Sequence, residues 1–407
     1  MRIPKVCIVR KGADLAAETA KIKQSKGSLV RHEREKQCLG RSYVPLDATV
    51  GQVQSEIGNT RQSVGKPRVI VLIPAHNEEG CIAAALRSVW AQSRPPDSVV
   101  VVADNCSDRT AEVARRWGAE VFETTGNTHK KAGALNQALD DILPDLRDED
   151  AVLVMDADSF LDKGFIEHAL SRLSRGGYGG VGGTFNGRAG GGYVGMLQRN
   201  EFARYARDVR RKKGKVLCLT GTATLLKVGA LRKVAASRPS GEVYDTEVLT
   251  EDFELTLRLG HLGYDVVSPK ECTLSTEVME TWGALARQRL RWKRGAVENL
   301  IQYGLTRVTL EHWARQLVTM LGIVVTALYL GTLFWAVAVE HSLHLQPIWI
   351  AVTFLFMFER AVSVRRRGWR MTALATLLVV EMPFDLFLQV VHLEAYWKAL
   401  FKTERTW

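Results

Sequence analysis

The sequence predicts an α/β fold, in which a mixed, mostly parallel sheet is flanked by helices and followed by an interfacial amphipathic helix and C-terminal transmembrane helices. Between residues 67 and 156, short runs rich in valine and isoleucine alternate with stretches of helical periodicity. Strands separated by helices of about 10 to 15 residues form parallel sheets covered on both faces. Further on, a basic helical stretch precedes an uncharged apolar run from Leu317 to Val339, which is long enough to cross ~30 Å of hydrocarbon.

The predicted strands and helices follow one another without a long interruption. The strands cover residues 68–73, 98–103, 119–124 and 151–156, and the helices between them cover residues 78–92, 107–118 and 131–143. In such sheets, ligands bind at the carboxyl ends of the strands. The loops that follow the strands are therefore the places where functional side chains are expected.

Charge and cysteine content narrow the class of protein. The chain has 407 residues, with 55 Lys and Arg against 44 Asp and Glu, and a net charge of +11. Such a balance suits a polyanion or an anionic membrane surface. The six cysteines are scattered without a C-x-x-C pair, which argues against a zinc site or a disulfide scaffold and fits a reducing compartment. The basic residues at the start are not followed by the apolar run of a signal peptide.

Five regions are predicted along the chain. Residues 1–66 are polar and basic without clear periodicity, and we interpret them as an N-terminal extension of unknown role. The other four are the α/β domain, the interfacial helix, the membrane region and a tail, at residues 67–280, 281–314, 315–397 and 398–407.

The membrane region contains three apolar segments, at residues 317–339, 345–364 and 371–391. The second and third carry ionisable residues, which are costly in hydrocarbon, so we expect them to face a bundle interior, a lumen or a partner chain. A homo-oligomer is compatible with such residues, which could then contact a second copy of the chain. An alternative is that Pro383 breaks the third segment into a re-entrant or interfacial piece.

Basic residues predict the orientation in the membrane. The loop "RRRGWR" (Arg365–Arg370) lies between the second and third segments, whereas residues 340–346 contain no Lys or Arg. Basic loops stay on the cytoplasmic side. We therefore predict an integral protein of the cytoplasmic (inner) membrane with its α/β domain in the cytoplasm.

Carboxylates follow two of the predicted strands. Asp104 comes directly after the strand 98–103, and "VMDADS" places Asp156 and Asp158 at the end of the strand 151–156. Side chains two residues apart on an extended backbone point the same way, so both carboxylates can bind one hard cation such as Mg²⁺ or Mn²⁺. A D-x-D triplet can also merely cap a loop.

Two further stretches carry charge at predicted helices. Glu251 and Asp252 lie in the first turn of a helix that opens at Thr250, where they either stabilise the helix start or provide a general base. The stretch "RQRLRWKRG" (287–295) surrounds one tryptophan with cations. Four interpretations of this stretch are open: a solvent-exposed helix face, a helix on anionic lipid, a nucleic-acid-binding surface or a binding site for a sugar diphosphate.

Six stretches together resemble one family. In order they are "IPAHNEE", "VVVADNCSDRT", "KKAGALNQAL", "VMDADS", "TEDFELTLRL" and "RQRLRWKRG". They look like the family 2 inverting glycosyltransferases, in particular the membrane-bound synthases related to cellulose, chitin, hyaluronan and poly-N-acetylglucosamine synthases. The resemblance runs from about residue 67 to residue 304 and implies a GT-A fold.

The resemblance also implies how the donor is bound. Asp104 would bind the uracil of a UDP-sugar, and Lys131 would approach the nucleotide or its phosphates. Asp156 and Asp158 would hold Mg²⁺ or Mn²⁺, and Asp156 would also contact the nucleotide sugar.

The same resemblance assigns the chemistry of transfer. Asp252 would deprotonate the acceptor hydroxyl, and Arg291, helped by Arg289, would bind the leaving diphosphate. The residues expected to contact the acceptor are Gln288, Trp292 and Glu251.

Two enzymatic hypotheses remain open at this point. The first is processive extension of a β-linked polysaccharide, with a glycan as acceptor. The alternative is transfer of one sugar to a polyprenyl phosphate or other lipid-linked acceptor. A nucleic-acid partner is disfavoured, because the aligned carboxylates would repel phosphate unless metal is bound. A transporter is disfavoured because of the large α/β unit.

Overall fold

The computed structural model describes residues 65–341 and 347–403. The predicted N-terminal extension lies outside the described residues except for its last two positions. The end of the predicted tail, residues 404–407, also lies outside them.

Ten strands are present in the described residues, and they form two sheets. They are β1 (Val69–Ala75), β2 (Ser98–Ala103), β3 (Glu120–Glu123), β4 (Ala151–Met155), β5 (Phe160–Leu161), β6 (Tyr178–Gly182), β7 (Thr184–Gly187), β8 (Ala223–Lys227), β9 (Asp265–Val267) and β10 (Thr273–Thr276). The larger sheet has the order β3-β2-β1-β4-β8-β6-β9, and the smaller has the order β5-β10-β7.

The larger sheet is mixed and mainly parallel. Strand β1 pairs in parallel with both β2 and β4, whereas β8 pairs antiparallel with β4 and β6. The register places Ala75 beside Ala103. Both lie within a strand whose central residues are buried apolar side chains, as expected for a sheet covered on both faces. The carboxyl ends of β1, β2 and β4 therefore meet at one edge.

Twelve α-helices surround and follow the sheets in the described residues. They are α1 (Ile82–Trp90), α2 (Thr110–Arg116), α3 (Lys130–Ile142), α4 (Phe165–Leu173), α5 (Gly192–Arg211), α6 (Val228–Ala236), α7 (Glu251–His261), α8 (Trp282–Tyr303), α9 (Leu310–Ala338), α10 (Pro347–Val364), α11 (Trp369–Thr376) and α12 (Leu378–Leu400). Short 3₁₀ turns lie at Leu143–Asp145 and Arg365–Arg367.

The helices bury the sheet on both faces. Helices α1, α2 and α4 cover one face, where Leu86 and Phe165 are fully buried. Helices α3, α6 and α7 cover the other, where Leu135 and Leu231 are fully buried. This confirms the mixed α/β fold with a mainly parallel sheet.

The predicted helix 78–92 begins four residues late, at Ile82. Asn77 does not act as its cap: its backbone has φ 57°, and its Oδ1 accepts a hydrogen bond from the Ser107 N–H at 2.8 Å. The side chain is therefore used to tie the loop after β1 to the loop after β2.

The predicted interfacial region 281–314 contains a break. Helix α8 covers Trp282–Tyr303, the first part of this region, and ends at Gly304, which has a positive φ of 66°. The buried Thr309 donates a hydrogen bond to the Gly304 carbonyl oxygen at 2.7 Å. The turn ends there, and α9 begins at Leu310.

Helix α9 contains the first predicted membrane segment. Among the described residues, it is the one helix that is long and apolar enough to cross a membrane, and no residue in its most apolar stretch is buried. Helix α10 lies within the second predicted segment, 345–364.

The third predicted segment, 371–391, is divided between two helices, α11 and α12. The chain breaks at Leu377, whose ψ of 104° is extended, and a new helix α12 runs on to Leu400. Pro383 stays inside α12 rather than breaking it. The break lies just before a buried carboxylate, Glu381, which ion-pairs with Arg204 of α5 at 2.8 Å and Arg360 of α10 at 3.4 Å. Helix α12 is thus anchored on the α/β domain.

Candidate active site

Two adjoining cavities lie at the carboxyl ends of the parallel strands. One, of about 430 Å³, is lined by Asp104, Asn105 and Asn127. The other, of about 360 Å³, has charged and aromatic residues of α5, α7, α8 and the loop after β4 in its lining. Lys131, near the start of α3, lines both cavities. A ligand that filled both would therefore pass this ammonium group.

Asp104 is held firmly at the end of β2. Its backbone N–H donates to the Ala75 carbonyl oxygen at 2.9 Å. Its Oδ1 accepts hydrogen bonds from Asn105 at 2.9 Å, Thr124 at 2.8 Å and Asn127 at 2.8 Å. These three bonds orient the carboxylate, which is 8% exposed, toward a fixed position in the first cavity.

Lys131 joins the acidic groups of the second cavity. Its Nζ lies 2.6 Å from Asp156 Oδ1 and 3.3 Å from Glu251 Oε1. Burial alone would lower the pKa of Lys131, but these two carboxylates and Asp252 raise it well above its usual range. The lysine is therefore a permanent cation at the centre of the site.

Asp158 lies in a crowded acidic environment. Burial, followed by the charges of Asp156 and Glu277, raises the pKa of Asp158 to about 6. Arg188 opposes this shift, and the Nε and Nη1 atoms of Arg188 are buried without a hydrogen-bond partner among the described residues. An additional cation near Asp158 would stabilise its ionised form.

The residues present fit a divalent cation that also binds substrate. Within the described ranges, no three His, Cys, Asp or Glu side chains are placed to hold a metal by themselves. Asp156 and Asp158 line the same cavity, and Lys131 engages one oxygen of Asp156. Mg²⁺ is commonly held by one or two carboxylates together with substrate phosphates and water, and this pair of carboxylates matches that pattern.

Asp252 lies in the first turn of α7, beside Glu251. Its Oδ2 accepts a hydrogen bond from the Gly221 N–H at 2.9 Å, and its Oδ1 accepts one from the Phe253 N–H at 2.7 Å. Burial and then the charge of Glu251 raise the pKa of Asp252 to about 6. In contrast, Lys131 holds the pKa of Glu251 below its usual value despite burial. The two carboxylates therefore differ in basicity.

Gly221 allows these groups to approach one another. A Cβ at this position would lie 2.9 Å from Lys131 Nζ and 3.4 Å from Asp252 Oδ2. A side chain there would displace the lysine or the carboxylate. Gly221 belongs to the loop before β8, which forms the floor of the second cavity.

One face of α8 closes the second cavity. Gln288, Arg291 and Trp292 line it together, and Arg291 and Trp292 are exposed. Their spacing of three and four residues places them on the same side of a helix. The cavity thus has carboxylates on one wall and a guanidinium and an indole on another.

The structure places Arg289 differently from the prediction. It does not line the cavity, and its side chain is 5% exposed. Its Nη2 lies 2.8 Å from Glu201 Oε2, and its Nη1 donates to Gln288 Oε1 at 2.8 Å. The guanidinium is thus paired with Glu201 and Gln288 rather than open to the cavity, and its assistance to Arg291 at the diphosphate stays a prediction.

Sequence reasoning missed several residues of the site. They are Arg188, Glu201, Phe185, Phe202 and Glu277. Glu201 and Phe202 lie on α5, and Phe185 and Arg188 lie shortly before it. The alternation of charged and aromatic residues in "QRNEFARYARD" was the available signal that this helix has a functional face.

Comparisons with known proteins identify the family of this chain. Residues 67–295 match the family described as "Glycosyltransferase like family 2". The chain is 26% identical over 390 residues to the "Probable glycosyltransferase YdaM" of Bacillus subtilis (strain 168), covering 84% of this chain and 86% of that protein. It is 25% identical over 276 residues to the "Poly-beta-1,6-N-acetyl-D-glucosamine synthase" of Staphylococcus aureus (strain MSSA476), covering 65% of this chain and 64% of the synthase, less than two thirds of either.

A solved structure has a similar fold. The "Mannosyltransferase PcManGT from Pyrobaculum calidifontis in complex with GDP-Man and Mn2+" superposes with a TM-score of 0.57 and 18% identity. The superposition covers 87% of this chain and 94% of the mannosyltransferase.

Proposed function

Because this chain belongs to glycosyltransferase family 2 and is a glycosyltransferase, we propose that it extends a β-linked polysaccharide from a UDP-sugar, with inversion and processively. The observation that carries the proposal is the second cavity. It brings together a carboxylate of raised pKa, Asp252, and the two cations Lys131 and Arg291. Trp292 provides an aromatic surface in the same cavity.

The first cavity would hold the nucleoside of the donor. The three hydrogen bonds to Asp104 all engage Oδ1, so Oδ2 is the atom that would accept a hydrogen bond from an N–H of the base. The diphosphate would then extend past Lys131 toward the second cavity. A cavity of about 430 Å³ is large enough for a nucleoside.

Asp156 and Asp158 would hold Mg²⁺ or Mn²⁺. A bound divalent ion would supply positive charge to the diphosphate oxygens of the donor. The raised pKa of Asp158 supports this role, since three close carboxylates are stabilised by an added cation.

The chemistry would be a single in-line displacement. Asp252 would take the proton of an acceptor hydroxyl while that oxygen forms a bond to the anomeric carbon. The bond from the anomeric carbon to the diphosphate oxygen would break with its electron pair, and Arg291 and Lys131 would stabilise the negative charge of the leaving UDP. General-base catalysis and charge stabilisation each contribute about 10² to 10⁴-fold in rate.

The acceptor would lie against α8 and the start of α7. Trp292 would stack on a sugar ring, and Gln288 and Glu251 would contact its hydroxyl groups. Glu251 also lies 3.3 Å from Lys131, so it would fix the lysine as well as the acceptor. Extension of a polymer is supported by the similarity to the staphylococcal synthase.

We also propose that the protein is integral to the cytoplasmic (inner) membrane, with the α/β domain in the cytoplasm. Helix α9 supports this through its length and its unburied apolar surface. The basic 3₁₀ turn at Arg365–Arg367 would stay on the cytoplasmic side. A homo-oligomer would be needed to enclose a channel for the polymer.

The proposal is tested by UDP release from a panel of UDP-sugars, with detergent-purified protein and Mn²⁺ or Mg²⁺. We expect one donor to give a high-molecular-weight product, and EDTA to abolish turnover. Asp252→Asn should release no UDP, and its matched control Asp265→Asn, on the exposed side of β9, should retain activity. If UDP is released only with a lipid-linked acceptor and one sugar is transferred, the alternative of single-sugar transfer holds instead.

A further inference from the structure

Glu201 of α5 and Arg289 of α8 form an ion pair beside the second cavity. Glu201 Oε2 lies 2.8 Å from Arg289 Nη2, and the arginine side chain is 5% exposed. No sequence motif singled out Glu201. The pair connects a helix of the α/β domain to the helix that carries Trp292.

The guanidinium of Arg289 is in contact with two aromatic rings. Its Cζ lies 4.5 Å from the centroid of the Trp292 ring and 5.8 Å from that of Phe202. A cation at this distance is attracted to the face of an indole, and most strongly where water is excluded. One face of Trp292 is therefore covered by Arg289, while the indole remains 38% exposed and lines the cavity together with Asp252.

The position of Arg289 depends on Glu201. The other bonded group, Gln288, is neutral, and Nε of Arg289 has no hydrogen-bond partner among the described residues. Without the carboxylate, a nearly buried cation would lack its counter-charge and would move toward water. That movement would remove the cation–π contact between Arg289 and one face of the Trp292 indole.

Helix α5 is itself fixed at this point. Asn200 Nδ2 donates to Glu381 Oε1 at 2.7 Å, and Arg204 Nη1 lies 2.8 Å from Glu381 Oε2. These contacts to α12 flank Glu201 in the sequence. The carboxylate is therefore presented from a rigid element, as a precise binding site requires.

We propose that Glu201 is a positioning residue for the acceptor. It holds Arg289 against one face of Trp292, so that the other face is fixed at the angle needed to stack on the acceptor sugar. This inference rests on the proposed function, and it names the group that sets acceptor affinity without touching the acceptor.

The test compares Glu201→Gln with the exchange of charges Glu201→Arg/Arg289→Glu. Kinetics are measured with a β-linked oligosaccharide primer and the UDP-sugar, and stability is measured by thermal unfolding. We expect Glu201→Gln to raise the KM for the primer about 3- to 30-fold, the size of a desolvated cation–π contact, with the KM for the donor unchanged. Glu298→Gln, which removes the partner of Arg294 on the same helix, should leave the primer KM unchanged.

The exchanged pair separates positioning from folding. It restores an ion pair between α5 and α8 but places an anion under the indole, so we expect it to recover thermal stability without recovering the primer KM. Recovery of both by the exchange, or an effect of Glu201→Gln on the donor KM and kcat alone, would overturn the proposal.

The positioning role of Glu201 can be tested even if the proposed activity is not found. If the wild-type chain releases UDP from no donor, primer binding is measured directly by calorimetry. Weaker binding by Glu201→Gln than by wild type would support the positioning role. Equal binding by the two, or no binding by wild type, would overturn it.

Discussion

At the scale of single residues, the properties of the site follow from which charges are buried together. Lys131 lies between Asp156 and Glu251 and keeps Glu251 ionised. Asp252 is buried beside Glu251 and therefore binds a proton more readily than an ordinary aspartate. One carboxylate is thus suited to binding and the other to accepting a proton.

The first prediction concerns pH. A general base acts in its ionised form, and the pKa of Asp252 is raised to about 6. We expect kcat to be constant above pH 7 and to fall as pH decreases through about 6. A profile of kcat against pH with saturating donor measures this. An unchanged rate down to pH 4.5 would contradict the role of Asp252.

The second prediction concerns the neighbouring lysine. Because Lys131 lowers the pKa of Asp252, Lys131→Met should move the acidic limb of the kcat profile to higher pH and should also weaken donor binding. Lys233→Met, on the exposed surface of α6, serves as the control. If the acidic limb of the kcat profile does not move, the charge of Lys131 does not affect the pKa of Asp252.

The sequence predicted that Asp104, Asp156 and Asp158 would lie at one edge of the sheet, because carboxylates that follow parallel strands meet there, whereas Lys131 and Asp252 were assigned through the family resemblance. It did not show that Arg289 pairs with Glu201. Gln288, Arg291 and Trp292 share one side of a helix, whereas Arg289 lies about 100° further round. Only the packing of α8 on α5 shows which side faces the cavity.

At the scale of elements, the first four strands were predicted within two residues. Strands β1, β2 and β4 are short runs of buried, mostly β-branched or other apolar residues between polar turns. Strands β5 to β10 were not predicted individually. The C-terminal helices were predicted less well. Composition identifies an apolar helix but does not show what it packs against. The break at Leu377 lies four residues before Glu381, which contacts α5, and composition predicted neither feature.

The third prediction tests this contact. Glu381 is 1% exposed and pairs with Arg204 and Arg360, so Glu381→Gln leaves two cations without their shared partner. Removal of one member of a buried ion pair costs about 3–5 kcal/mol. We expect a lower free energy of unfolding in detergent by this amount.

The control for that prediction is on the same helix. Glu394 pairs with Lys398 at the surface, and exposed pairs of this kind contribute about 1 kcal/mol or less. Equal destabilisation by Glu381→Gln and Glu394→Gln would show that α12 is not anchored through Glu381.

At the scale of the whole molecule, an α/β domain with its own buried core is joined to C-terminal helices, of which α9 exposes its apolar side chains. The amphipathic helix α8 belongs to both parts, because Trp292 lines the cavity while Val297 packs with Tyr396 of α12. In the proposed function, acceptor binding and membrane attachment would therefore share one element.

The fourth prediction concerns attachment. If α9 spans a bilayer, the full chain should stay in the membrane fraction after washing with alkaline carbonate, which removes peripheral proteins. Release into the supernatant would show that α9 is covered by protein and not by lipid.

The central claim is that Asp252 and the cations facing it carry out one in-line displacement at the anomeric carbon. The most direct test is the configuration of the new linkage, read by proton NMR on the product formed from an α-configured UDP-sugar. The account predicts a β-linkage, absent from reactions with Asp252→Asn. An α-linkage would contradict it, because retention requires two displacements or a different arrangement of groups from the one that this cavity provides.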